Sequence, residues 1–166
     1  MKLQGRSRLL HFLLALALLE LDRLSKVWII RHIAEDTGSI PIVPGFFSLT
    51  HVENPGAAFG FMASSNSHWA TAALIACSSL ALLAVGAVLW KVAARFSLAS
   101  LSLALILGGA GGNLWDRLLR HHVTDFLHCY VGTHVWPDFN LADSAIVCGA
   151  CLLVLDMLRP QRQEGK

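Results

Sequence analysis

Four long apolar segments constrain the fold of this 166-residue chain more than any other feature. A helix needs about 20 residues to cross a bilayer, and all the prolines stand outside the four segments. Charged residues make up 14% of the chain, against roughly 25% of an average soluble domain. The sequence therefore predicts one all-α membrane domain over residues 1–166, with a small β element and transmembrane helices at about 9–33, 69–90, 98–115 and 142–158.

The positively charged residues predict the orientation of these helices. Eight of them precede helix one, join helices two and three, or follow helix four: Lys2, Arg6, Arg8, Lys91, Arg95, Arg159, Arg162 and Lys166. The positive-inside rule then places both termini in the cytoplasm. The polar connections at about 34–68 and 116–141 would face outward. The first connection predicts a β-hairpin, because 40–43 and 46–52 flank the turn signal Pro44-Gly45.

Charged and amide residues near the outer ends of helices one and three form two patterns. Asp22 and Lys26 lie four apart on helix one, so they share a face and can pair, either as a self-neutralising ion pair or as a brace for a polar site. Asn113, Asp116 and Arg117 share one face of helix three. A helix-end salt bridge between the last two is the alternative for that pattern.

Asp125 and Asp143 lie on either side of the polar segment between helices three and four. Two carboxylates that meet can share one proton and activate a water molecule, which is the chemistry of aspartic peptidases. Asp143 also has a purely structural explanation, because Asn140 and Asp143 are spaced as a capping box at the start of helix four.

Other function classes receive less support from the residues. Histidines surround Asp125, which leaves a zinc hydrolase as an alternative, but no H-E-x-x-H spacing is present. The four cysteines show no metal or disulfide pattern, so neither a metal nor another cofactor is predicted. Intramembrane carboxylates also occur in proton- or ion-coupled transport subunits, although repeated halves typical of transporters are missing here. No nucleic-acid-binding motif occurs.

Five short motifs follow one another from residue 22 to residue 143. They are D-x-x-[ST]-K at 22–26, N-x-G-x-x-F at 54–59, G-x-x-x-N-x-x-D-R at 109–117, V-x-D-F at 123–126 and F-N-x-A-D at 139–143. Each is weak alone, but the ordered set is specific. In this order the motifs resemble those of the lipoprotein signal peptidases (signal peptidase II). One departure is His121, which stands where the family commonly has glycine.

The resemblance implies a monomeric aspartic peptidase of the bacterial inner membrane, with its active site facing the periplasm. Its implied partners are membrane lipid and a prolipoprotein that is cut on the N-terminal side of a diacylglyceryl-modified cysteine. Asp125 and Asp143 match the catalytic aspartates of the family. The matching residues that would support the site or bind substrate are Asp22, Lys26, Asn54, Gly56, Asn113, Asp116, Arg117, Asn140 and Ala142.

Overall fold

The structure is a computed structural model that describes residues 2–56 and 68–159. Within these ranges the chain forms four helices and four strands. The elements are α1 (Lys2–His32), β1 (Ser39–Val43), β2 (Phe47–Asn54), α2 (His68–Val92), α3 (Leu98–Arg120), β3 (Val123–Val131), β4 (His134–Val135) and α4 (Leu141–Leu158). Phe59, the last residue of the second motif, lies outside the described residues.

Helix α3 is the centre of the bundle, with α1, α2 and α4 packed around it. Glycines make this close packing possible, because a Cβ at Gly108 would strike the main chain of Ala15 in α1. A Cβ at Gly109 would likewise strike the carbonyl oxygen of Ala142 in α4. Without side chains at these two positions, α1 and α4 can approach α3 at backbone distance.

Three of the described helices are long and apolar enough to cross a membrane: Thr71–Val92, Leu98–Arg120 and Leu141–Leu158. They correspond to three of the four predicted spans. Helix α1 has 31 residues, which is ample length, but its second half carries Glu20, Asp22, Arg23 and Lys26. Its crossing of the membrane, and the orientation of the bundle, stay predictions at this point.

The strands form one antiparallel sheet in the order β1-β2-β3-β4. The predicted hairpin is confirmed as β1 and β2, but the boundary of helix three at about 115 is wrong. Helix α3 continues to Arg120, and its C-cap is His121, with a left-handed φ of 66°. Hydropathy falls at Asp116 because charged side chains begin there, whereas the backbone stays helical. Strands β3 and β4 then occupy what the sequence suggested only as a polar connection.

An apolar cluster fixes the sheet against the end of the bundle. Ile29 of α1 and Ile33, the residue after α1, pack with Phe126 of β3, and all three are at most 5% exposed. Burying such side chains contributes about 1.5–3 kcal/mol each. In the adjoining ladder, Val52 of β2 lies opposite Asp125 of β3. The cluster therefore holds the strand that carries Asp125 at the end of the helices.

Candidate active site

Asp125 is a buried carboxylate on β3, with 4% of its surface exposed. Its Oδ2 accepts a hydrogen bond from the side-chain amide of Asn54 at 3.0 Å. Its Oδ1 accepts one from the side-chain amide of Asn140 at 2.7 Å. Two neutral amides from β2 and from the start of α4 thus hold both oxygens of the carboxylate.

Asp143 lies in the first turn of α4, where the predicted capping box is confirmed. Its main-chain N–H donates to Oδ1 of the N-cap residue Asn140 at 2.9 Å, and its own Oδ2 accepts from the main-chain N–H of Asn140 at 3.3 Å. The remaining oxygen, Oδ1, accepts from the side-chain amide of Asn113 at 2.7 Å. Asp143 therefore caps the helix and also faces a polar residue of α3.

Asn140 brings the two carboxylates into one site, because its side chain contacts Asp125 and its main chain contacts Asp143. Burial is the main reason that the pKa of Asp125 rises to about 6, and the negative charge of Asp143 adds to it. The hydrogen bonds from Asn54 and Asn140 act in the opposite direction. As pH falls toward neutrality and below, Asp125 therefore takes up a proton far earlier than an ordinary aspartate.

A second polar group, the lysine cluster, lies beside this pair and consists of Asp22, Lys26, Asn113 and Asp116. The ammonium of Lys26 lies 2.6 Å from Oδ2 of Asp22 and 2.8 Å from Oδ2 of Asp116. It also donates to Oδ1 of Asn113 at 3.1 Å. Three oxygens, one from α1 and two from α3, thus surround one buried ammonium. The predicted pairing of Asp22 with Lys26 is confirmed, and Asp116 is a second partner.

The lysine cluster also ties α1 to α4. The second oxygen of Asp22, Oδ1, accepts a hydrogen bond from the main-chain N–H of Ala142 at 3.0 Å. That N–H is one of the first-turn donors that have no partner within their own helix. Gly112 of α3 allows the approach, since a Cβ there would lie 2.7 Å from Oδ2 of Asp22. Ala142 thus belongs to the site through its backbone.

Asn113 joins the lysine cluster to the carboxylate pair. Its Oδ1 accepts from Lys26 at 3.1 Å and from the side-chain amide of Asn140 at 3.2 Å, while its Nδ2 donates to Asp143. Because an ammonium can only donate, Lys26 determines which end of the Asn113 amide is the oxygen. The amide nitrogen is then directed at Asp143.

Arg117 holds main-chain carbonyls at the edge of the site. Its guanidinium donates to the carbonyl oxygen of Gly56 at 3.1 Å and to that of Asn113 at 3.4 Å. The N–H of Gly56 donates in turn to Oδ1 of Asn54 at 2.9 Å. The alternative of a salt bridge between Arg117 and Asp116 is wrong, because Asp116 pairs with Lys26.

The structure gives the zinc alternative no support. Among residues 2–56 and 68–159, no three His, Cys, Asp or Glu side chains are grouped so that they could hold a metal ion. His122 lies against Glu53 and His128 lies against Asp138 instead. Glu53 belongs to none of the five motifs and was not predicted, yet it contacts His51, Arg120 and His122.

His121 shows how this chain accommodates its departure from the family pattern. It ends α3 in the left-handed conformation, with a φ of 66° and a ψ of 4°. Only glycine adopts this conformation without a steric penalty, which is about 1–2 kcal/mol for other residues. The turn therefore has the geometry that a glycine would favour, and the carboxylate pair beyond it is still assembled.

The fold and site define a polytopic membrane protein with two carboxylates at the sheet-covered end of its helix bundle. Comparison with known proteins assigns its family: the model of "Signal peptidase (SPase) II" matches residues 14–159. The chain belongs to the signal peptidase II family and is a protease.

Similar proteins of known sequence and structure agree with this assignment. The lipoprotein signal peptidase of Solibacter usitatus is 45% identical over 86% of this chain and 87% of its own. That of Geobacter metallireducens is 44% identical over 89% and 90%. A solved bacterial membrane enzyme superposes with a TM-score of 0.80 at 26% identity, over 94% of this chain and 93% of the other.

Proposed function

We propose that this protein is an aspartic endopeptidase of the bacterial inner membrane that removes signal peptides from diacylglyceryl-modified prolipoproteins. It would cut on the N-terminal side of the lipidated cysteine, with Asp125 and Asp143 as its catalytic residues. The observation that carries the proposal is that two carboxylates, the buried Asp125 and the partly buried Asp143, contact one residue, Asn140, and are held by amides. Lipoprotein signal peptidases more than 40% identical to this chain support the substrate class.

The proposed mechanism divides the work between the two carboxylates. Asp143 lies in the first turn of α4 and gains from the helix dipole, so it is the anion that takes a proton from the attacking water. Asp125, whose pKa is about 6, holds the shared proton and donates it toward the oxygen of the scissile carbonyl. The water oxygen bonds to the carbonyl carbon. Collapse of the adduct then breaks the C–N bond: the proton taken up by Asp143 passes to the leaving amine, which is the nitrogen of the lipidated cysteine, and the signal peptide leaves with a new C-terminal carboxylate.

The amides around the dyad have a positioning role in this proposal. Asn54, Asn113 and Asn140 fix the carboxylates without supplying a positive charge that would reduce their basicity. Arg117 holds the carbonyl of Gly56 and so keeps the segment after β2 near the site. Asp22 and Lys26 hold α1 against α3 and α4 beside the dyad.

The proposed setting requires α1 as the fourth transmembrane helix. Its charged residues do not prevent this, because Asp22 and Lys26 are each 1% exposed and face the protein. Glu20 and Arg23 pair with each other at 2.9 Å. The surface left for lipid includes Leu16 and Leu24, which are 53% and 65% exposed. Such a helix can cross a membrane because its charges are neutralised within the protein.

The substrate's lipid explains why a soluble peptide would be a poor substrate. A site at the end of a helix bundle can admit a signal helix and its acyl chains from the side, within the membrane. Each methylene that leaves water contributes about 0.8 kcal/mol. The lipidated precursor would therefore bind far more tightly than its unmodified form.

The test is cleavage of a purified precursor by the purified protein in detergent or lipid. The diacylglyceryl-modified precursor should be cut, with the lipidated cysteine at the new N-terminus, while the unmodified precursor should not. Asp143→Asn should abolish cleavage. Asp138→Asn is a matched control from the same segment and should retain it. Equal cleavage of both precursors would overturn the substrate assignment, and normal cleavage by Asp143→Asn would overturn the mechanism.

A further inference from the structure

The paired strands β2 and β3 present different chemistry to their two faces. Because side chains alternate along a strand and face the same way as their partners across the ladder, Asn54 and Asp125 share one face. Glu53 lies opposite Thr124, so these two share the other face. One face thus carries the proposed active site, and the other carries a charged group that the mechanism does not use.

Glu53 is the centre of that charged group, with 11% of its side chain exposed. Its Oε1 accepts hydrogen bonds from Nε2 of His51 at 2.9 Å and from the guanidinium of Arg120. Its Oε2 lies 3.2 Å from Nε2 of His122 and accepts from the hydroxyl of Thr124 at 3.2 Å. Glu53 therefore joins β2 to the end of α3 and the start of β3.

His51 extends the same group to α1. The structure places its Nδ1 2.9 Å from the carbonyl oxygen of Ile33, just beyond the end of α1, and its Nε2 2.9 Å from Glu53. A carbonyl and a carboxylate both accept, so the ring must donate from both nitrogens, which only the imidazolium does. Burial alone would lower the pKa of His51, but the bonds to Glu53 and Ile33 outweigh it and raise that pKa.

The other charges around His51 favour the same state. Burial opposes ionisation of Glu53, yet the hydrogen bonds from His51 and Arg120 lower its pKa. Glu35, which follows α1, adds a further negative charge that raises the pKa of His51, whereas Arg120 and His122 contribute positive charge to Glu53. The imidazolium of His51 and the carboxylate of Glu53 therefore stabilise each other near the end of α1.

His51 also lies where the register of β2 is least determined. The pairing with β3 shifts between Leu49 and Val52, so β2 contains an extra residue there. A bulge interrupts the ladder, and a slip of one residue moves every later side chain to the opposite face. Such a slip would turn Asn54 away from Asp125. The bonds of His51 are well placed to prevent it.

We propose that His51 is a positioning residue: its two donated hydrogen bonds hold β2 in the register that presents Asn54 to Asp125. The expected effect on kcat rests on the proposed function. The expected effect on the contact between Asn54 and Asp125 does not. His51 would act only through Asn54, since its own ring lies on the opposite face of the strand pair.

The kinetic test is a double-mutant cycle with the lipid-modified precursor. His51→Phe and Asn54→Ala should each lower kcat about tenfold, an effect typical of losing a hydrogen bond to a charged group, with KM changed less than twofold. The double variant should be no slower than the slower single variant. His32→Phe, an exposed histidine that contacts the Trp28 carbonyl, is the matched control and should keep full activity. Losses that multiply in the double variant would overturn the proposal.

A second measurement does not depend on activity. Infrared titration can follow the protonated carboxyl band that disappears in Asp125→Asn. Since the Asn54 hydrogen bond lowers the pKa of Asp125, His51→Phe and Asn54→Ala should raise that pKa by the same amount. Glu53→Gln serves where His51→Phe fails to fold, and should give a smaller rise in the same direction. An unchanged Asp125 titration in a folded His51 or Glu53 variant would overturn the positioning role, even if the wild-type protein cut no precursor.

Discussion

The lysine cluster and the Asp125–Asp143 pair place two carboxylates each within one small region, yet their surroundings are opposite. In the lysine cluster, Asp22 and Asp116 share one ammonium at 2.6 and 2.8 Å. In the pair, the partners are amides and main-chain N–H groups. Among the described residues, no lysine or arginine lies within 4.0 Å of either carboxylate of the pair.

The partners of an aspartate therefore decide its role in this bundle: structural in the lysine cluster and, in the proposed function, catalytic in the Asp125–Asp143 pair. A carboxylate bound to a buried ammonium is neutralised and fixed, so it is a poor base. A carboxylate bound to amides is held in place without a counter-ion, so it can still exchange a proton with water. Asn113 contacts both regions and allows the first to orient the second.

The largest expected effect is the loss of the cation from the lysine cluster. Lys26→Met should lower the free energy of unfolding by about 3–5 kcal/mol, because it leaves two buried carboxylates without their counter-ion. Thermal unfolding in detergent, followed by tryptophan fluorescence, measures this loss. Arg23→Met is the matched control on the same helix: its ion pair with Glu20 is partly exposed and should contribute less than about 1 kcal/mol. Equal losses in the two variants would remove the distinction between the lysine cluster and a surface ion pair.

The next effect concerns the cost of burying the ionised form of Asp125. Its pKa rises from 3.8 to about 6 on folding, so the native state binds the proton more tightly than the unfolded state. The stabilisation of the native state by the proton on Asp125 is fully present below pH 4 and is lost as pH rises through about 6. Relative to the wild type, Asp125→Asn should therefore gain about 2–3 kcal/mol of stability between pH 4 and pH 8. A stability difference that does not change with pH would show that Asp125 ionises normally.

A smaller effect tests how tightly the lysine cluster is packed. Gly112→Ala would place a Cβ 2.7 Å from Oδ2 of Asp22, the oxygen bound to Lys26, and overpacking of this kind costs about 1–3 kcal/mol. Gly86→Ala is the control, because its Cβ would make an ordinary contact at 3.7 Å and should stabilise α2 slightly. If both variants gained stability, α3 would not approach α1 as closely as described.

The smallest effect is expected at the turn before Asp125. His121→Gly should raise the free energy of unfolding by about 0.5–1 kcal/mol, since it relieves the left-handed strain but makes the unfolded chain more flexible. Asp36, the other described non-glycine residue with positive φ, offers the comparison. Asp36→Gly should gain less, because aspartate adopts this conformation more readily. A loss of stability in His121→Gly would mean that the histidine side chain itself supports the turn.

The sequence predicted elements whose signals are local and missed those that depend on partners far along the chain. Apolar length predicted the helices, and the spacing of Asp22 and Lys26 predicted their pairing. Strand β3 was missed because its apolar residues and histidines show no clear alternation, and its strand state depends on pairing with β2. Glu53 was missed because the partner that holds it most closely, Arg120, is 67 residues away.

The central claim, that Asp125 and Asp143 act together on one water, is tested most directly by kcat for the single and double Asp→Asn variants. With a diacylglyceryl-modified precursor, each single variant should lose about 10⁴-fold or more in kcat. The double variant should lose no more, because either carboxylate is useless without the other. Losses that multiply, or a single variant that keeps a tenth of the wild-type rate, would contradict the account.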